Sequence, residues 1–233
     1  MKIKENLYVF LSKRGISLFQ KVFPEYFARE PLKPTDRFIE YPFLVLNLPK
    51  APAKVLDVGC AGSFFPLMLA GFGYDVYGID IREYAILNRL KFNNFQFIKE
   101  DIGANSFPDN FFDAVLAIST VEHIGLSGRY GAGEDAFGDK KAMLQIKRVL
   151  KPKGILILTV PFGKAKTIKP YNRVYDVALI NELMGGFRIE KEEYYMLDSR
   201  DNWYKCPKEE AAAFDSNESR YAVCLIKAVK ETG

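Results

Sequence analysis

The chain has 233 residues, 48% of them apolar, and a net charge of +4. That length holds one large α/β domain or a domain with an added cap, and the apolar share fills a core without covalent staples. Acidic and basic residues are interspersed, which argues against a nucleic-acid-binding arm, and no run is long and apolar enough to span a bilayer.

Cys60, Cys206 and Cys224 show neither metal-type pair spacing nor the even count of a disulfide framework, so a reducing cytoplasmic setting is expected. Lys13 and Arg14 break the apolar opening stretch, unlike a signal peptide.

Residues 1–50 read as a helical appendage or lid, and 51–233 as the main domain. In the appendage Leu7, Leu11, Leu18 and Val22 recur at helical spacing with basic residues between them, until Pro24 stops the helix. Packing on the domain, or closing over a site, is preferred here to peripheral membrane contact.

From residue 53 strands and helices alternate. Strands are expected at 54–58, 75–79, 95–98, 111–118 and 155–160. Helices are expected from Ser63, as cap, through about Gly71, over 83–91, and after Asp139, as cap, with Ala142, Met143, Ile146 and Val149 on the buried face. Lys151-Pro152-Lys153-Gly154 stops the last of these. A further helix is expected over 175–185, then two strands at 187–197 and 221–229. The long polar stretch between these strands, about 198–219, holds too little helix for a parallel crossover, so they should pair antiparallel. The alternation predicts a doubly wound, mostly parallel α/β sheet.

The first strand runs into Leu56-Asp57-Val58-Gly59-Cys60-Ala61-Gly62-Ser63. Such a turn, at the carboxyl edge of an open α/β sheet, is where nucleotides bind, and small residues let the backbone approach a ligand. Alone it is equally a tight strand-to-helix turn. Asp80 ends the second strand about 20 residues beyond Gly59, the spacing of a carboxylate that accepts from ribose hydroxyls. Asp101 follows the third strand. Each Asp alone is also a solvated strand end or a helix cap, but three polar groups on successive strand ends favour a nucleoside cleft. A nicotinamide dehydrogenase would want glycine where Ala61 and Phe64 stand, which weakens that reading.

Leu56–Ser63, Tyr77-Gly78-Ile79-Asp80, Glu100-Asp101-Ile102 and Phe111–Gly125 together resemble the motif series of class I S-adenosylmethionine-dependent methyltransferases, over roughly residues 53–162. The resemblance implies a Rossmann-like sheet of seven strands, mostly parallel, with an antiparallel last strand. It also implies S-adenosylmethionine as cofactor. Asp57, Gly59, Ala61 and Gly62 would line its methionine end, and Asp80 would hold the ribose. Asp101 would bind the adenine amino group, with Ile81 and Ile102 flanking the ring. Ser119 would border the sulfonium. The family pattern has glycine where this chain has Ala61 and Ser63, so Ala61 must keep φ below zero and Gly62 can take over the left-handed position.

More narrowly, Val121–Gly131 and Gly138–Met143 resemble a little-characterised methyltransferase-fold family often discussed with surface-glycan biosynthesis.

Methyl transfer is an in-line displacement, and a hydroxyl acceptor needs a base of near-neutral pKa. His123, the sole histidine, stands just past the fourth strand and is the candidate base. The Glu122-His123 pair can equally shape the loop or cover the cofactor. In the following loop Arg129 can clamp an anion. Glu134 and Asp135 read as solvated, and no ordered spacing supports a metal. Lys164, Arg173 and nearby tyrosines can rim a pocket for a sugar or phosphorylated group or merely anchor the next helix, and Trp203 can be a platform or a core anchor. The expectation is a methyltransferase acting on a small molecule or glycan precursor, by O-methylation. An N- or C-methyltransferase and a non-catalytic nucleoside-binding module are the alternatives.

Overall fold

The computed structural model describes residues 10–11, 14–15, 18, 21–22, 35–83, 93–128, 130–131, 133–199, 202–217 and 220–232. Two compact units divide at residues 35 and 36. In the first, Phe10, Leu11, Leu18 and Val22 are helical and exposed. Leu7, Pro24, Arg129 and all of the expected helix at 83–91 except Glu83 lie outside the described residues.

The second unit opens with helix α1 (Arg37–Asn47), which sequence reading assigns to the appendage. Then come β1 (Lys54–Val58), α2 (Phe65–Gly71), β2 (Asp75–Asp80), β3 (Phe95–Lys99) and β4 (Phe112–Ile118). Helix α3 (Gly138–Val149) leads into β5 (Leu150–Phe162). A hairpin of β6 (Lys166–Ile168) and β7 (Asn172–Val174) precedes α4 (Val177–Leu183) and β8 (Phe187–Leu197). Strand β9 (Trp203–Cys206), α5 (Lys208–Ala213) and β10 (Ala222–Lys230) complete the chain.

The main sheet runs β3-β2-β1-β4-β5-β10-β8-β9. The first five strands are parallel, and β10 is antiparallel to both β5 and β8, as the polar connection predicts. The sheet has eight strands, not seven. The extra one, β9, lies in the stretch read as polar loop and pairs antiparallel with β8 at the edge. Its alternation is too short to stand out, and its pairing comes from β8 rather than from local propensity.

Both sheet faces are covered. On one side α3 inserts Ala142, Met143, Ile146 and Val149 against Leu156, Leu158 and Tyr175. On the other, Phe43 and Leu44 of α1 and Phe65 and Leu69 of α2 pack on Val55, Leu116, Ile157 and Leu225. Burial on both faces explains the unbroken apolar runs in β4 and β5.

Two expected caps are displaced. Ser63 lies one residue before the N-cap position of α2, held by Phe64, but its Oγ still accepts from the Phe65 amide at 3.1 Å. Asp139 lies inside α3, whose N-cap is Phe137. Its buried carboxylate instead accepts from the Tyr175 hydroxyl at 2.9 Å. Asp176, by contrast, caps α4 through the Leu179 amide.

Candidate functional site

Gly59, Cys60, Ala61 and Gly62 form the turn that leaves β1 at the carboxyl edge of the sheet. Gly59 has φ +76°, and a Cβ there would stand 2.5 Å from the Thr120 side chain. Gly62 has φ +91° with open space around it. Ala61 is not among the positive-φ residues, so Gly62 carries the left-handed position and the alanine is accommodated without strain.

Beside this turn is an open cleft lined by Asp57, Gly59, Cys60, Ser63, Phe65 and Ile118 and by Arg37 and Tyr41 of α1. Tyr41 stacks on Phe65 with ring centres 4.7 Å apart, and its hydroxyl lies 3.1 Å from Ser63 Oγ. Burial raises the Asp57 carboxyl to about 7. Arg37 opposes the shift and Asp80 adds to it. A guanidinium and a carboxyl facing one cleft suit the carboxylate and ammonium of an amino-acid moiety. The residues present therefore fit the methionine end of the expected cofactor.

Asp80 ends β2 within reach of the same turn. Its Oδ2 accepts from the Ala61 amide at 2.9 Å, and its Oδ1 accepts from the Arg82 amide and Nε at 2.9 and 3.1 Å. Arg82 Nη2 also donates to Asp80 Oδ2 and to the Ala61 carbonyl. The guanidinium lies 4.5 Å from the Tyr130 ring centre. Ile81 is partly exposed, and Ile102 is buried in the core. Exposed Asp101 accepts from the Gly103 amide at 2.8 Å, capping the short 3₁₀ turn Ile102–Ala104.

Ser119 follows β4 in the left-handed region, at φ 44°. Its amide donates to both the carbonyl and Oγ1 of Thr159, and its hydroxyl donates to Glu40 Oε1 at 2.6 Å. Thr159 Oγ1 donates to the same oxygen, and Arg37 Nη1 donates to Glu40 Oε2. Glu40 is thus a fully buried carboxyl that ties α1 to the ends of β4 and β5. Burial raises its pKa, aided by Asp36 and opposed by Arg37, Ser119 and Thr159.

His123 ends a 3₁₀ turn, Val121–His123. Its Nδ1 is 2.5 Å from the Tyr171 carbonyl, and its Nε2 is 3.6 Å from Glu122 Oε1. The carbonyl can only accept, so Nδ1 carries a proton. The Tyr130 ring meets the imidazole edge-on at 5.3 Å. Glu122 is buried, its Oε2 has no hydrogen-bond partner among the described residues, and burial holds its carboxyl well above the usual range.

The other proposed rim residues have structural partners. Arg173 donates to the carbonyls of Ile124 and Asp135 and lies 3.8 Å from Asp139, which fixes the loop after His123. Tyr175 is fully buried. Glu134 pairs with Lys169 and Asp135 with Lys141. Trp203 packs edge-on to Tyr221 beside the α1 face of the core. Among the described residues no three His, Cys, Asp or Glu side chains form a metal-binding group.

Sequence reading missed Arg37, Glu40, Tyr41 and Arg82. The signal for the first two was two charges, three apart, in the otherwise apolar stretch 37–46.

The family described as "Methyltransferase domain" matches residues 56–158, the stretch from β1 into β5. Over that stretch the chain is therefore similar to methyltransferase domains. It is similar to phosphoethanolamine N-methyltransferase 3 of Arabidopsis thaliana, 28% identical over 89% of this chain and 42% of that protein. It spans less than half the length of the curated relatives it matches. Among solved structures it shares the fold of an S-adenosylmethionine-dependent methyltransferase from Methanosarcina mazei, with TM-score 0.60 and 19% identity over 83% of this chain and 99% of that one. It likewise shares the fold of a Burkholderia thailandensis 1,6-didemethyltoxoflavin-N1-methyltransferase, determined with S-adenosylhomocysteine bound. That match has TM-score 0.55 and 14% identity over 97% of this chain and 90% of that one.

Proposed function

We propose that this chain transfers a methyl group from S-adenosylmethionine to a hydroxyl of a small molecule, with His123 as general base. When bound, the cofactor supplies the electrophilic methyl. Asp57, Gly59, Ala61 and Gly62 line its methionine end together with Arg37. Asp80 would receive the ribose, Asp101 the adenine amino group, with Ile81 and Ile102 flanking the ring, and Ser119 would border the sulfonium.

The tautomer of His123 carries the base assignment. The Tyr171 carbonyl keeps the proton on Nδ1, so Nε2 can take one from the acceptor. The Glu122 carboxyl, 3.6 Å from Nε2, lies on the side of the ring that takes the proton, and an imidazolium formed there would favour its ionised form.

A sugar or phosphorylated acceptor in the cytoplasm is the proposed substrate class. The glycan-precursor reading rests on the resemblance of Val121–Gly131 and Gly138–Met143 and on nothing else. A second reading, an amine acceptor, draws on the two buried carboxyls, Glu40 and Glu122, which favour a cation nearby. Two of the three methyltransferases named above are N-methyltransferases by name.

Calorimetry with S-adenosylmethionine and S-adenosylhomocysteine tests the cofactor assignment, and binding of neither would overturn it. A mass-shift screen with isotopically labelled cofactor, run over nucleotide sugars, glycan fragments and small amines, separates the acceptor classes. Binding with no transfer to any acceptor would instead favour a nucleoside-binding module.

A further inference from the structure

Two parts of the site meet at Arg82. Its side chain donates to both oxygens of Asp80 and to the Ala61 carbonyl, on the turn that leaves β1. Its guanidinium also lies 4.5 Å from the centre of the Tyr130 ring, within cation–π range. Tyr130 in turn meets the His123 imidazole edge-on at 5.3 Å. The acid proposed for the ribose and the histidine proposed as base are thus joined through two side chains, Arg82 and Tyr130.

One end of this series is held and the other can be displaced. His123 is fixed by the Tyr171 carbonyl at 2.5 Å. The loop that carries Tyr130 is tied at its base. There the Asp135 amide donates to the Gly125 carbonyl at 2.9 Å, and Arg173 donates to the carbonyls of Ile124 and Asp135. The Arg82 side chain, by contrast, is 40% exposed, and an ion pair so open to water holds its geometry weakly. Its bonds to Asp80 occupy the oxygens that a ribose diol needs. One planar group makes both the carboxylate contact and the ring contact. A guanidinium that yields to the diol therefore leaves the Tyr130 face as well.

We propose that Arg82 and Tyr130 are positioning residues that couple the ribose site to the base: ribose on Asp80 withdraws the guanidinium from Tyr130 and resets that ring beside His123. The inference rests on the ribose and base assignments above. It makes the surroundings of the base depend on the cofactor, so the acceptor meets the working arrangement only after the cofactor has bound.

His123 is the sole histidine of the chain, so proton NMR of the tag-free protein reads one imidazole, and the Tyr130 ring current marks its position. In alkaline solution, where the imidazole is neutral, Tyr130→Ala sets the resonance position without that ring. With no ligand present, Arg82→Ala should move the resonance of the unsubstituted chain towards that position, and should add no shift in the Tyr130→Ala background. No shift in Arg82→Ala would overturn the proposal. The same shift in both backgrounds would also overturn it, by assigning the effect to charge alone. S-adenosylhomocysteine should then displace the resonance in the unsubstituted chain and in Tyr130→Phe, which keeps the ring, and much less in Tyr130→Ala. Equal displacement in Tyr130→Ala, or binding seen by calorimetry with no displacement, would overturn the coupling and leave the cofactor reading standing. Absence of binding in calorimetry would overturn both, and the Arg82→Ala shift, read without ligand, tells that case from one in which Arg82 does not hold Tyr130.

Discussion

Arg82 engages both carboxylate oxygens of Asp80, through its backbone amide, Nε and Nη2, and the Ala61 amide takes a further position on Oδ2. The acid proposed to receive the ribose is therefore already bonded within the chain. A diol must displace part of the guanidinium contact, while the two backbone amides can stay. Arg82→Ala should consequently tighten cofactor binding. The pair is partly exposed, so the gain is about 0.2–1 kcal/mol, at most about fivefold in Kd. Asp80→Ala should weaken binding by about 1.5–3 kcal/mol. Calorimetry on both variants checks the pair, and weaker binding by Arg82→Ala would show that the arginine contacts the ligand.

The position of Asp57 makes cofactor affinity pH-dependent. Its carboxyl, raised by burial to about 7, is largely protonated below that value and ionised above it. Only the ionised form attracts an ammonium, so affinity should rise as the pH is taken from 6 to 8. Asp57→Asn should bind more weakly and lose most of that rise. The same shift makes the folded protein bind a proton more tightly than the unfolded chain does, so this group's stabilising contribution falls as pH rises from about 4 towards 7.

His123→Ala should abolish turnover and leave cofactor affinity unchanged. Glu122→Gln keeps the shape of the side chain but cannot balance an imidazolium. It should lower kcat by roughly tenfold to a thousandfold, with little change in KM. Full activity in His123→Ala would remove the histidine as base, and an unchanged kcat in Glu122→Gln would leave the glutamate a structural group.

Glu40→Ala would strip two hydroxyls and a guanidinium of their common acceptor. A loss of about 3–5 kcal/mol is expected in urea unfolding. Glu40→Gln, which keeps an amide oxygen for Ser119 and Thr159, should lose less. Equal losses would mean that charge, not hydrogen bonding, dominates this contact.

Much of this architecture is legible in the chain. The limits of β1 are read without error, because Lys54 and Gly59 bracket a short apolar run. The antiparallel pairing of β8 and β10 follows from the scarcity of helix between them. Strand β9 and helix α5 are not legible, since four- and six-residue elements in a polar stretch owe their form to the neighbours they meet. In the site, residues named for backbone reasons behave as read: Gly62 takes the left-handed position that Ala61 avoids. Some of the residues that sequence reading missed act across long distances in the chain. Arg37 and Tyr41 reach the β1 turn only because α1 folds over the sheet, and spacing along the chain carries no record of that. Asp139 had a local reading as a cap, and burial beside Tyr175 overrode it.

The Glu40 contact also bears on the order in which the molecule assembles. It joins groups 79 and 119 residues apart in the chain, so it is complete only when α1 and the ends of β4 and β5 are all in place. Such long loops are entropically costly to close and belong to late folding events. The cleft gains its Arg37 and Tyr41 wall in that same late step. A chain with the sheet formed and α1 undocked would be compact and largely native in secondary structure, yet would lack the Arg37 and Tyr41 wall of the cleft. Ligand capture should therefore lag behind the recovery of secondary structure during refolding, and ligand present from the start should favour the final docking.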